Sequence, residues 1–244
     1  MITSEQIENL ARLYQIDNFT VMREYLQLLF LSYLYQNKKA GKIYFKGGTA
    51  IRLLFNSSRF SEDLDFSTTY NKIQIKQIVK EVETSMRTEL PELNILLLYS
   101  GKSGLRLRLK YQPVDFKYPL VIRLDFNIIE KANEITVSPL VTKFPILIFP
   151  LVAHLPDKEI FAEKIEALLN RSKGRDLFDI WFLLERGILP NLKPPINQLL
   201  KKIETFSQIQ LDHDLAQFLP KPQKKITGML KKLLVKKLIS SFGK

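Results

Sequence analysis

Residues 46–66 read KGGTAIRLLFNSSRFSEDLDF. Two glycines, Gly47 and Gly48, precede a short apolar helix, and two carboxylates, Asp63 and Asp65, follow it one residue apart. Glycine lets backbone amides approach an anion with no Cβ in the way. A helix starting at Thr49 aims its unpaired N–H groups and the positive end of its dipole at the same place. Leu64–Ser67 reads as a strand, on which alternate residues share a side. Ser61, Asp63, Asp65 and Ser67 then form one polar face, with Leu64 and Phe66 turned to the core. Two carboxylates this close repel unless a cation lies between them, and hard oxygen donors suit Mg²⁺ or Mn²⁺. Such an ion can hold a triphosphate for in-line phosphoryl or nucleotidyl transfer. Each piece alone has a plainer reading, a turn for the glycines and a charged strand edge for the aspartates. The combination is far more specific than either.

Outward from this stretch, the chain divides by character. Thr3 and Gln6 have capping-box spacing for a first helix to about Tyr14, and residues 19–36 carry a wide apolar face. Residues 42–46 read as a strand, and Asn71 is placed to cap a helix from Lys72. The centre is β-rich: residues 93–99, a turn at 100–104, then a strictly alternating strand over 105–111, and a strand over 120–129. One or two more strands are expected in 135–149, interrupted by Pro139 and Pro145. Beyond Pro156 the pattern turns helical, with Asp157 as a cap, a second helix over 175–186, shorter ones after it, and a basic helix over about 222–240. The fold class is α+β: residues 1–150 hold a mixed sheet with N-terminal helices, and 151–244 a helical part.

The bulk properties narrow the function classes. With 244 residues, 45% of them apolar, the chain can bury a sizeable core. It has no cysteine, which excludes disulfides and thiolate metal sites and suits a reducing, cytoplasmic setting. No signal peptide is expected, because Glu5, Glu8 and Arg12 interrupt the first apolar residues, and the longest apolar-rich run, residues 25–35, is too short to span a bilayer. The net charge is +12, and residues 221–244 hold eight lysines and no acid. A basic surface so localised attracts polyanions; a solvated lysine-rich helix is the alternative. Two histidines, His154 and His213, are too few and too separated for zinc, and no P-loop occurs.

The segment KGGTA…RFSEDLDF resembles the signature of the AbiEii-type toxin nucleotidyltransferases, within the polymerase-β-like superfamily. Its pattern is Gly-Gly or Gly-Ser on a turn and helix, then D-x-D on the next strand. AEKIEALLNRSKGRDLFDIWFLL, residues 162–184, resembles the same family's E-K-x-x-A-L…R-D-x-x-D segment. The resemblance implies a minimal nucleotidyltransferase mixed sheet flanked by helices, followed by a helical C-terminal part that closes the cleft. It implies Mg²⁺-dependent transfer from an NTP, with RNA, above all the 3′ acceptor end of tRNA, as acceptor, and a toxin–antitoxin or phage-defence setting with a cognate antitoxin. Residue by residue, Gly48 and Thr49 would hold phosphates, Asp63 and Asp65 would bind metal, Lys164 would contact the triphosphate and Asp176 would help complete the site. Glu163, Arg175 and Asp179 match motif positions without an assigned role.

The other candidates each carry two readings. Lys164 falls on the apolar side of its helix, where a lysine either meets an anion or snorkels outward. Asp176 lies on the inner side of a nearly all-apolar helix; its plainer role is a cap, or a first-turn acid paired with Arg175. Asp125 in IRLDFNI faces away from the core and is placed to be a third carboxylate, binding metal or activating the attacking hydroxyl; Arg123 is placed to neutralise it instead. Lys46, Gly47, Arg59 and Ser61 flank the motif and join the nucleotide-binding set, Arg59 also as a brace for its loop. Arg106, Arg108 and Lys110 form a basic strand face that suits an RNA backbone or guards an exposed edge. Lysine pairs on the terminal helix suit tRNA better than a membrane surface. The sequence thus points to an NTP-dependent nucleotidyltransferase toxin acting on RNA. Its rivals are an enzyme of the same fold that nucleotidylates a protein, and a nucleotide- or nucleic-acid-binding module without catalysis.

Overall fold

A computed structural model of the chain describes residues 2–114, 116–132, 134–190 and 194–243. It divides into two compact units, Met1–Asn56 with Phe60–Leu155, and Ser57–Arg59 with Pro156–Lys244.

The first unit is built on a mixed seven-stranded sheet. Its helices are α1 (Ser4–Tyr14), α2 (Asn18–Gln36), α3 (Gly47–Leu54) and α4 (Lys72–Met86). Its strands are β1 (Ile43–Lys46), β2 (Leu64–Thr68), β3 (Asn94–Gly101), β4 (Gly104–Tyr111), β5 (Leu120–Ile128), β6 (Thr136–Pro139) and β7 (Leu151–His154), in the order β3-β4-β5-β2-β1-β7-β6. The pairs β2/β5 and β1/β7 are parallel and the rest antiparallel. Both capping boxes form, Thr3 with Gln6 and Asn71 with Gln74, satisfying orphan amides that would otherwise fray α1 and α4.

Alternation decides which side of the sheet is buried. On β4, Leu105, Leu107 and Leu109 are buried while Arg106, Arg108 and Lys110 are exposed. Phe45, Phe66 and Phe126 continue the apolar side across β1, β2 and β5, with Phe66 and Phe126 stacked at 4.9 Å between centroids. Helix α2 is buried on nearly every side. Its Glu24 accepts both Nε and Nη2 of Arg52 on α3 at 2.8 and 3.0 Å, out of water. Such a pair holds geometry more than it adds net stability.

Three local expectations are corrected. Helix α3 starts at Gly47, not Thr49, so both glycines lie in its first turn. The stretch 135–149 holds one strand, β6, as expected, but a further strand, β7, falls within 151–244, the part read as helical; it pairs with β1 at Phe45↔His154 and with β6. The basic C-terminal stretch is not one helix. A 3₁₀ segment, Lys221–Gly228, gives way at Met229 to α9 (Leu230–Phe242), with Gly228, a poor helix former, at the junction.

The second unit is helical: α5 (Asp157–Asn170), α6 (Gly174–Glu185), α7 (Ile196–Glu204), α8 (Gln208–Leu215) and α9. Pro156, not Asp157, is the N-cap of α5. Leu177, Phe178, Ile180, Leu183 and Leu184 bury most of α6, and α7, α8 and α9 supply Leu199, Ile203, Leu211, Leu215, Leu230, Leu234 and Leu238 to the same core. Among the described residues no helix is long and apolar enough to cross a membrane.

Candidate active site

In the first unit, the turn from β1 into α3 is built around Gly47. Its φ is +79°, a conformation that costs an L side chain about 1–2 kcal/mol. A Cβ placed there would run into the Asp65 carboxylate and stand 2.9 Å from that residue's own Cβ. Glycine is therefore required twice, for the backbone angle and for the close approach of Asp65. The N–H groups of the first turn of α3 begin at this point, where no side chain caps them. Thr49 is fully buried, and its hydroxyl donates to the backbone carbonyl of Asp63. The hydroxyl is thus committed to the chain.

Strand register then lines up the charged residues across the open side of the sheet. Lys46 on β1 is opposite Asp65 on β2, Asp65 beside Asp125 on β5, Asp125 opposite Arg106 on β4, and Arg106 opposite Tyr99 on β3. Register partners project from the same side, so these five form one transverse row. A second row contains Arg123 on β5, Arg108 on β4 and Leu96 on β3. Asp63, one residue before β2, joins it through Arg123, whose Nε donates to Asp63 Oδ1 at 3.0 Å and whose Nη2 donates to Oδ2. Arg106 Nε donates to Asp125 Oδ1 at 2.5 Å. The reading that paired Arg123 with Asp125 is therefore corrected: Arg123 forks onto Asp63, and Asp125 is met from the neighbouring strand. The Asp63 hydrogen bond raises the pKa of Arg123; partial burial opposes this, and the fields of Asp63, Asp125 and Asp65 add to it. Three carboxylates thus act on one guanidinium.

Ser61 offers its carbonyl to Gln27 Nε2 at 3.1 Å, and Glu62 takes Arg23 at 3.2 Å. These contacts tie the loop before Asp63 to α2.

The second unit gathers a different set. Arg59, in the short segment that the first unit lends to this one, forks onto Asp179 of α6 with Nε and Nη2 at 2.8 and 2.9 Å. Lys164 of α5 lies 2.8 Å from Asp179 and 3.3 Å from Asp176, and Arg171 forks onto Asp176 at 2.8 and 3.0 Å. Asp176 and Asp179 are buried, at 0% and 1% exposure, and Arg59 at 2%. Burial alone would raise Asp179, but Arg59 and Lys164 outweigh it and hold the carboxyl below its ordinary range. Burial would lower Lys164; Asp179 and Asp176 raise it instead. Lys164 points inward, toward anions of its own chain. The guanidinium of Arg175 lies 5.1 Å over the ring of Phe218. Arg59, enclosed and forked, braces its loop. Nothing short-range in the sequence links Arg59 to Asp179 or names Arg171.

The chain matches, over residues 29–242, the family described as nucleotidyl transferase AbiEii toxin, type IV toxin–antitoxin system. It belongs to the AbiEii nucleotidyltransferase toxin family. Solved structures that share its fold include the following three. JHP933 from Helicobacter pylori is 20% identical with a TM-score of 0.58, covering 92% of this chain and 95% of its own. A putative nucleotidyltransferase from H. pylori is 19% identical with a TM-score of 0.58, covering 92% and 98%. MenT4, a nucleotidyltransferase toxin from Mycobacterium tuberculosis H37Rv, is 16% identical with a TM-score of 0.61, covering 98% and 89%. No functionally curated protein matches.

As an AbiEii toxin the chain is a nucleotidyltransferase of a toxin–antitoxin system, its substrate an NTP and its partner a cognate antitoxin. The donor set on the sheet fits a hard divalent cation in kind: Asp63, Asp65 and Asp125 offer only carboxylate oxygens and already hold a guanidinium cation among them. Their arrangement is not a closed cage. Among the described residues no three acidic or histidine side chains converge on one point, because Asp63 turns to Arg123 and Asp125 to Arg106. Ligation requires these carboxylates to exchange an arginine for the ion.

Proposed function

We propose that this toxin transfers a nucleotide from an NTP to RNA, with the 3′ acceptor end of tRNA as the target, in a reaction dependent on Mg²⁺ or Mn²⁺. One observation carries the reading: Asp65 and Asp125 stand side by side on adjacent strands, with Asp65 pressed against the glycine at which a free helix N-terminus begins. Acceptors of charge and donors for phosphate are thereby adjacent.

The amides of Gly48 and Thr49 hold phosphate oxygens of the NTP at the head of α3. Asp63 and Asp65 would hold the divalent ion, which would neutralise the phosphates and the charge that develops during in-line displacement. The 3′-hydroxyl oxygen of the acceptor attacks the α-phosphorus. The bond from that phosphorus to the bridging oxygen of the β-phosphate breaks, and pyrophosphate leaves. Asp125 is placed to take the hydroxyl proton.

The test is incubation with each labelled NTP, Mg²⁺, total tRNA and total protein, followed by separation by size. Label entering tRNA with the wild type, and none with an Asp63→Ala variant whose circular dichroism is unchanged, supports the reading. Label in the protein fraction alone overturns the RNA acceptor. Metal-dependent NTP binding with label in neither fraction makes the chain a binding module.

A further inference from the structure

The topology removes the simplest explanation for the basic row on β4. Edge strands carry lysine and arginine to block pairing with another chain, but β4 is not an edge. It lies between β3 and β5, and the true edge, β3, holds Asn94-Ile-Leu-Leu-Leu-Tyr-Ser-Gly101 with no charge at all. The cations of β4 therefore guard nothing.

They are also unevenly used. Arg106 is engaged by Asp125. Arg108 and Lys110, both exposed, form no ion pair with any described residue. Arg108 is opposite Arg123, another cation, and Lys110 opposite Val121. Alternate residues on a strand stand roughly 6.8 Å apart, comparable to the spacing of neighbouring phosphates in a nucleic-acid strand. Beside them, Tyr99 is 59% exposed at the end of the row that contains Asp65 and Asp125. Its ring is laid along the strand over Gly101, occupying the space a Cβ there would need. Leu96, 54% exposed, lies next to Arg108 on the same side. Two cations at phosphate spacing, an aromatic ring held open to solvent and an apolar patch between them are the components of a single-strand nucleic-acid track.

We propose that this face of β3 and β4 is the surface on which the acceptor polynucleotide lies, with Arg108 and Lys110 on consecutive phosphates and a base stacked on Tyr99. The proposal rests on the RNA-acceptor reading above and adds to it the part of the molecule that binds. It places the acceptor strand on the same side of the sheet as Asp125, two strand positions from Arg108 along the register. The lysine-rich stretch at residues 221–243 is the competing surface.

The test is the affinity of fluorescein-labelled total tRNA by anisotropy, from 50 to about 300 mM salt, for four proteins: wild type, Arg108→Gln/Lys110→Gln, Tyr99→Ala, and Lys231→Gln/Lys232→Gln/Lys236→Gln/Lys237→Gln. Mn²⁺–NTP binding by each is measured in parallel. The sheet double variant is expected to bind about tenfold more weakly and to flatten the slope of log K against log salt by about 1.4, or 0.7 per phosphate lost. Tyr99→Ala is expected to lose about tenfold with the slope unchanged. NTP binding persists in both. Wild-type affinity in the sheet variants, with the loss confined to the tail variant, overturns the proposal and leaves the RNA reading standing. A loss in the double variant without a change in slope overturns it too. If the wild type binds no tRNA, the proposal and the RNA-acceptor reading fall together.

Discussion

Asp179→Asn tests how the buried charges of the second unit are held. Asp179 is 1% exposed and receives three donors, Arg59 Nε at 2.8 Å, Arg59 Nη2 at 2.9 Å and Lys164 Nζ at 2.8 Å. Asparagine keeps one acceptor oxygen but turns an NH₂ group toward a donor and removes the negative charge. Arg59, 2% exposed, then loses the carboxylate it forks onto, and Lys164 is left sharing Asp176 with Arg171. Removing one partner of a buried ion pair costs about 3–5 kcal/mol. In a chain of this size each kcal/mol lowers Tm by roughly 2–4 °C, so the expected fall is about 10 °C.

The assay is urea unfolding, with the midpoint shift converted at constant m. A double variant, Arg59→Met/Asp179→Leu, separates lost attraction from stranded charge. It removes cation and anion together and leaves Lys164 on Asp176. It is expected to recover more than half of the loss, giving a coupling energy well above the 0.5 kcal/mol seen for independent sites. A single variant within about 1 kcal/mol of wild type, or a double variant as unstable as the two singles summed, would refute the account of an interlocked buried network.

Two further outcomes follow from the same geometry. Gly47→Ala should cost about 1–2 kcal/mol from φ alone and abolish NTP incorporation, because its Cβ must displace Asp65; thermal melts and the labelling assay check both parts, and retained activity would show that Asp65 need not touch the bend. The share of stability that Asp179 and Lys164 supply should be flat through the neutral range. Asp179 has a lowered folded pKa, so its contribution is complete above its ordinary 3.8 and disappears only as pH falls through the depressed value. Lys164 has a raised one, so its share is complete below its ordinary 10.5 and is lost as pH rises beyond the folded value. Urea midpoints of wild type and Asp179→Asn between pH 2.5 and 11 should differ by a constant amount through the neutral range, and Asp179→Asn should remove the acid bend that Asp179 supplies.

What the chain reveals about itself depends on the range of the interaction. The alternation on β4, the two capping boxes and the sidedness of Leu64 and Phe66 are properties of residues two to four apart, and they read directly. Strand β7 did not, because four residues between prolines carry too little pattern, and their strand character comes from the parallel partner β1 more than 100 residues away. The arginines show the same limit. Arg123 and Asp125 are two apart and on the same side, so sequence favours their pairing. The parallel register of β2 and β5 instead brings the Asp63 carboxylate within reach of Arg123 and puts Arg106 opposite Asp125. A fork with two good hydrogen bonds outweighs simple proximity along one strand.

The same distinction explains why the glycine requirement was only half visible. A pair of glycines before a helix announces a tight turn or an anion site, and both readings rest on the absence of a side chain. That Gly47 must also make room for Asp65 is a fact of cross-strand pairing, since Lys46 at the end of β1 and Asp65 are register partners and the residue that follows Lys46 lies against the Asp65 side chain. The bend and the carboxylate are therefore one packing unit. A substitution at either position disturbs the other, and the coupling between them should exceed what two separate motif residues would show. A double-mutant cycle on Gly47→Ala and Asp65→Ala makes this concrete. Removing the Asp65 carboxylate should relieve the clash with its oxygen and carboxyl carbon and leave the backbone cost and the 2.9 Å approach to the Asp65 Cβ, whereas strict additivity would mean the two residues do not touch.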